Sequence, residues 1–205
     1  TATGQPNRIT SHSFEISPDA FNQVCVNCHT SEGGVPLTGD NFMKVFVEPQ
    51  KEIFQNALDL AVAILLKNYN ISYTTTYPYF FDLTKDPSGN TPVKDWTRGG
   101  KVDGKKLMGA CFNINLLKRD PGEFAHARTY TRRLLYDTID FLDDQKMNLS
   151  SGATAIATMP AIYGKGATAF TDGTLTQLAP GTTEAMTYLI AWSRATGKWS
   201  TPERP

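Results

Sequence analysis

Ile53, Phe54, Ala57, Leu58, Ala61, Ile64 and Leu65 recur at i, i+3, i+4 spacing, which places them on one stripe of a helix over 51–67. A second helical pattern covers 106–117 and stops at Asp120-Pro121-Gly122, where proline and glycine interrupt the repeat. The third opens near Glu123, with Phe124, Tyr130, Leu134, Leu135, Ile139 and Leu142 as its apolar positions. Arg128, Arg132 and Arg133 fall on its polar side. The fourth follows Gly181, carries Met186, Leu189, Ile190 and Ala191, and is closed by Gly197. Residues 19–30 read as a shorter helix.

Elsewhere the period changes or vanishes. Ile71, Tyr73, Thr75, Tyr77 and Tyr79 alternate at period two, predicting a strand or extended segment that gives way to a long loop by residue 100. Residues 1–20 read as a polar extended arm, 31–40 as loop, and 150–180, rich in Gly, Ala, Thr and Pro, as irregular. The organisation predicted is a mainly α fold: one domain over 1–205, of about four helices with long irregular loops. No internal repeat is present.

Composition narrows the class. The chain has 205 residues, 40% hydrophobic and 20% charged, with zero formal net charge. That balance offers no basic field for nucleic acid or for an anionic membrane. No apolar run approaches the roughly 20 residues of a membrane span. The chain opens at Thr1 without an apolar leader, as a processed exported protein or a trimmed chain would. Three cysteines are too few for a disulfide framework. Cys111, within Met108-Gly109-Ala110-Cys111-Phe112, reads as a small buried hydrophobe.

The other two stand in Cys25-Val26-Asn27-Cys28-His29, the C-x-x-C-H pattern of covalent c-type haem attachment. The spacing follows from the chemistry. Two thiols about one helical turn apart reach the two vinyl groups of a porphyrin, and the adjacent His29 becomes the proximal iron ligand. A redox dithiol expects a βαβ setting that the chain lacks. A zinc site needs further ligands at matching spacing, and His12 and His126 offer no finger-like pattern. The sixth ligand separates functions, because an open position binds small molecules and a filled one exchanges electrons. The candidates are His126, His12 and Met159 of Met159-Pro160.

Two segments resemble a known family. Ser11-His12-Ser13-Phe14 ahead of the haem motif is similar to the entry of a haem-binding segment in multihaem cytochromes c of metal-reducing bacteria. Met108-Gly109-Ala110-Cys111-Phe112-Asn113 through Leu116-Leu117, then Asp120-Pro121-Gly122-Glu123-Phe124-Ala125-His126 with Tyr130, Leu134 and Leu135, resembles a helix–turn–helix of that superfamily, shared with multihaem nitrite reductases. There the turn ends in a distal haem-ligating His, a role the resemblance carries onto His126. Ala127 replaces the family's usual Asn, and the chain has one haem motif only. A rival likeness is to class I cytochromes c, through Met159-Pro160 and a final helix at 182–196. The ranking is His126, then His12, then Met159.

These readings converge on an electron-transfer cytochrome with one covalent, bis-His haem c and no enzymatic activity. The alternatives are a haem-based sensor or catalyst with an open position, and a structural subunit of an extracellular cytochrome assembly. The expected partners are redox proteins or other cytochromes, with homo-oligomerisation open and no transmembrane segment. The expected location is the periplasm or the cell exterior.

Overall fold

A computed structural model describes residues 17–32, 34–120, 122–125 and 127–163, and the pairs 188–189, 192–193, 198–199 and 204–205. His12, His126, the arm at 1–16 and most of the fourth predicted helix lie outside these residues.

Helix α2 (Glu48–Tyr69) is the axis of the fold. Pro49 stands in its first turn, and Asn70 ends it in the left-handed conformation at φ 51°, its amide donating to Leu66 O at 3.0 Å. The predicted stripe is buried: Ala57, Leu58, Ala61 and Leu65 are wholly shielded from solvent, and so is Leu60 beside the stripe. Against it pack α4 (Arg128–Asp144), α3 (Gly104–Arg119) and α5 (Ser151–Tyr163). Asp103 caps α3, accepting from the amides of Lys105 and Lys106. Asn113 Nδ2 donates to Thr138 Oγ1 at 3.0 Å, tying α3 to α4. The C-termini of α2 and α4 meet. There Asn68 Nδ2 donates to Leu142 O and Asp143 O, both at 3.0 Å, satisfying carbonyls that the end of α4 leaves unpaired.

Strands are short. β1 (Ser31–Glu32) pairs with β2 (Val35–Pro36), and β3 (Ile71–Tyr73) with β4 (Phe80–Asp82), both antiparallel. The period-two segment is therefore a hairpin rather than one strand. Tyr73 and Tyr79 lean onto α3, Tyr73 donating to Asn115 Oδ1 at 3.4 Å and Tyr79 accepting from Arg119 at 2.6 Å.

The fold class is mainly α, as the periodicity implies. Several boundaries differ. The arm ends earlier than residue 20, because Ser17 caps α1 (Pro18–Gln23). The predicted loop at 31–40 contains the β1–β2 hairpin. Helix α4 begins at Arg128, not near Glu123. Residues 122–125 form turns instead, with the Ala125 amide bonded to Gly122 O at 3.0 Å, and Ala127 enters α4 at φ 46°. The irregular segment predicted at 150–180 starts as helix α5. Its small residues show no apolar stripe, but Asp140 and Asp143 on α4 hold its entrance. Tyr188 and Leu189 are helical and buried, whereas β5 (Trp192–Ser193) pairs with β6 (Lys198–Trp199), so the last helix does not reach residue 196.

Candidate haem-binding site

The site grows from α1. Ser17 Oγ accepts from the Ala20 amide at 3.2 Å and Pro18 fills the first turn, so the helix starts cleanly. At its end the chain tightens into a 3₁₀ turn over Cys25–Asn27. The amides of Cys28 and His29 both donate to Cys25 O, at 3.1 and 2.8 Å. One turn of backbone thus separates the two thiols and fixes His29 directly after them, which is the arrangement the motif demands.

Behind this turn stands an aromatic column. Phe21 is fully buried and stacks on Phe42 at 4.2 Å; Phe42 stacks on Phe46 at 5.3 Å; the His29 ring lies 5.0 Å from Phe46. Phe42 and Phe46, four apart, share one face of the chain entering α2. Residues Met43–Val47 there form a π-helical turn, a widened geometry frequent at functional sites. The Thr38–Asn41 turn ahead of it is closed reciprocally: Asn41 Oδ1 accepts from the Thr38 amide at 2.8 Å and Thr38 Oγ1 from the Asn41 amide at 3.3 Å.

Between the motif, the start of α2 and the α3–α4 turn lies a cavity of about 390 Å³. Cys25 and His29 line it, with Phe42, Phe46, Val47, Gln50, Phe124, Ala125 and Arg128. Its walls are mainly apolar, and its size falls within the roughly 300–1,000 Å³ of cofactor pockets. Cys28 and His29 are exposed, as are Val24 and Val26 beside them, so the motif edge faces solvent. A haem is a flat apolar disc with two carboxylate tails. The Cys25 thiol and His29 imidazole at one edge, with Cys28 on the exposed side of the same turn, hydrocarbon faces and a guanidinium on the wall fit that group.

Of the residues singled out in the sequence, Cys25, Cys28 and His29 come together on this turn. His12 and His126 lie outside the described residues, but the neighbours of position 126 do not: Phe124, Ala125 and Arg128 line the cavity. Met159 belongs to α5, not to a loop, and its side chain is outside the described residues. Cys111 is 1% exposed, and burial pushes its thiol up to about 12. Phe42, Phe46, Val47 and Gln50 lie ahead of the periodic helix predicted from residue 51, and the cavity alone gives them a role. The i, i+4 pair of phenylalanines was the available signal. The polar side assigned to α4 also needs correction. Arg128 faces the cavity and Arg132 donates to Tyr188 O, because the chain packs against that side as well.

A turn presenting two thiols and an imidazole beside an apolar cavity defines a c-type haem protein, and comparison with known proteins agrees: the chain is a c-type cytochrome related to the multihaem cytochromes. It is 33% identical over 156 residues to the C-type polyheme cytochrome OmcC of Geobacter sulfurreducens, an alignment covering 68% of this chain and 19% of the relative. To OmcB of the same organism, also a C-type polyheme cytochrome, it is 32% identical over 155 residues, 67% of this chain and 20% of the relative. The chain spans about a fifth of the length of these curated relatives. No protein-family profile and no solved structure matches it. Kinship with c-type cytochromes implies covalently bound haem c. Among the described residues, no helix is long and apolar enough to cross a membrane.

Proposed function

We propose that this chain is an electron-transfer cytochrome carrying one haem c, attached through Cys25 and Cys28 and ligated by His29 on one face and His126 on the other. The cavity is the observation that carries the reading. Cys25 and His29 share it with Phe124, Ala125 and Arg128, the sequence neighbours of position 126. The single C-x-x-C-H motif in the sequence supports one haem. When bound, the haem supplies one-electron exchange between ferric and ferrous iron.

The chain's own residues divide the remaining work. Cys25 and Cys28 anchor, and His29 donates an imidazole nitrogen while its ring rests against Phe46. Phe42, Phe46 and Val47 exclude water from one side. Ligation by His29 and His126 would leave the iron no position for a substrate, which supports an electron carrier over an enzyme. The exposed motif edge is where a redox partner, another cytochrome or a second copy approaches. Kinship with polyheme cytochromes supports passage of electrons between haem groups. It also supports export to the periplasm or the cell exterior.

The test is the visible and near-infrared spectrum of protein matured in an exporting host. The unmutated protein is expected to be low-spin, without the weak near-infrared band of a methionine–iron bond, and unaffected by carbon monoxide. His126→Ala converts the iron to high-spin or opens it to carbon monoxide, while His12→Ala and Met159→Ala leave it low-spin. A spectral change confined to His12→Ala would transfer the distal role to the arm. A high-spin unmutated protein would favour a sensor or catalyst instead.

A further inference from the structure

Resting on the haem reading above, we propose that Arg128 is the residue that binds a haem propionate, and that it thereby raises the reduction potential of the iron. The cavity wall is hydrocarbon except at Gln50 and Arg128 among its side chains that do not attach or ligate haem. A guanidinium at an apolar wall is costly unless an anion faces it. No carboxylate among the described residues forms an ion pair with Arg128, and Glu123, the nearest acid along the chain, accepts from Thr131 Oγ1 at 3.1 Å. The ion pairs among those residues are Arg98–Asp82, Lys118–Asp59 and Arg204–Asp137. Arg128 instead donates through Nη1 to Gln50 Oε1 at 2.7 Å, and its Cζ lies 5.5 Å from the centre of the Tyr188 ring. Both partners are neutral. They orient the charge without cancelling it.

Helix geometry gives no other reason for a cation here. Arg128 is the first residue of α4, the end at which the macrodipole disfavours positive charge and favours an anion. Ala127, the cap residue, provides no side-chain acceptor for the free amides. Tyr188 stands behind the guanidinium and outside the cavity lining. It is fully buried beside Arg128, and its hydroxyl has no hydrogen-bond partner among the described residues. Arg128 keeps N–H donors at the cavity wall that have no anionic acceptor among the described residues.

Haem supplies that acceptor. Its two propionates lie at the edge away from the vinyl groups that Cys25 and Cys28 take. A guanidinium has five N–H donors in a planar fork, and one of them suffices for Gln50, leaving others for a carboxylate. A fixed positive charge near the iron stabilises the ferrous state, which carries one positive charge fewer than the ferric.

The experiment compares purified holoproteins by redox potentiometry, resonance Raman spectroscopy and mass. Arg128→Gln is expected to lower the midpoint potential by the equivalent of a threefold to tenfold change in the oxidised-to-reduced ratio, a tenfold change being about 59 mV for one electron. The Raman propionate bending band is expected to shift with it. Arg128→Lys restores most of the potential. Lys85→Gln, an equal charge change elsewhere, moves neither readout. If Arg128→Gln does not accumulate, Gln50→Ala provides the second measurement, with a smaller shift in the same direction. Unchanged potential and Raman band in an Arg128→Gln protein that holds its haem overturn the proposal. An unmutated protein with the mass of the bare polypeptide overturns the haem reading itself, and this proposal with it.

Discussion

Cys111 sits on α3 between Ala110 and Phe112, with its side chain turned into the core beside Leu107 and Ile114. A thiolate there has neither water nor a cation to stabilise it, and burial alone pushes the thiol up to about 12. The neutral thiol is a poor nucleophile. In holoprotein, where Cys25 and Cys28 are thioethers, a bulky maleimide at pH 7 is expected to label nothing until denaturant is added, and then one site per chain. Rapid labelling of Cys111 in the native protein would contradict its burial. Composition pointed the same way, since an isolated cysteine among Met, Gly, Ala and Phe has no adjacent base. Arg128 shows the opposite case. An arginine on the polar side of a predicted helix reads as solvated, and only the cavity beside it reveals another task.

At the junction of α4 and α5 two carboxylates of α4 hold the chain, Asp143 through the Ser150 and Thr154 hydroxyls and Asp140 through backbone amides. Asp140, wholly shielded from solvent, accepts from the amides of Leu149 and Ser150 at 3.1 and 2.7 Å and from Ser150 Oγ at 3.0 Å. Ser151 Oγ donates to Tyr136 O at 2.7 Å, fixing the first residue of α5 against α4. These bonds nucleate a helix that residues 151–163 do not announce by periodicity. Asp140→Ala strands two amides in the junction and removes charge-assisted bonds. A loss of about 3 kcal/mol is expected from urea unfolding, with reduced helical ellipticity if α5 detaches. A loss under about 1 kcal/mol would mean that water replaces the carboxylate. Helix α2 contrasts with this. Its stripe, its early proline and its left-handed terminator are all local, and its limits were legible to within a few residues.

At the scale of the whole molecule, acid stability follows from carboxylates in the 82–97 region. Arg98 grips Asp82 with both terminal nitrogens, at 3.0 and 2.7 Å, and holds its carboxyl below the ordinary aspartate value. Hydrogen bonds from Ser88 and Thr97 lower Asp86 and Asp95 in the same way. A depressed aspartate stabilises the fold above its unfolded value of about 3.9, and that contribution is lost as pH falls through the folded value. Asp143 has the opposite sign: burial raises its carboxyl, so it opposes folding when ionised. With three carboxylates against one, stability is expected to fall below about pH 4. Arg98→Gln should cost about 1–2 kcal/mol at pH 7, because the pair lies in the wall of a groove open to water. The deficit should shrink as pH drops past 3.9, a trend that urea titrations at several pH values would read. A deficit constant across that range would mean that Arg98 acts through packing alone.

What the sequence determined by itself was everything carried by neighbours along the chain. The spacing of Cys25, Cys28 and His29 is a property of one turn, and the α2 stripe a property of one helix, so both were visible before any fold. The tertiary structure decided what depends on residues distant in sequence. It set Phe42, Phe46 and Val47 behind the haem motif, brought Phe124, Ala125 and Arg128 to the same cavity, and hung α5 on Asp140 and Asp143. Packing selects which side of a helix is inside according to what arrives to cover it, and no local pattern encodes the covering partner.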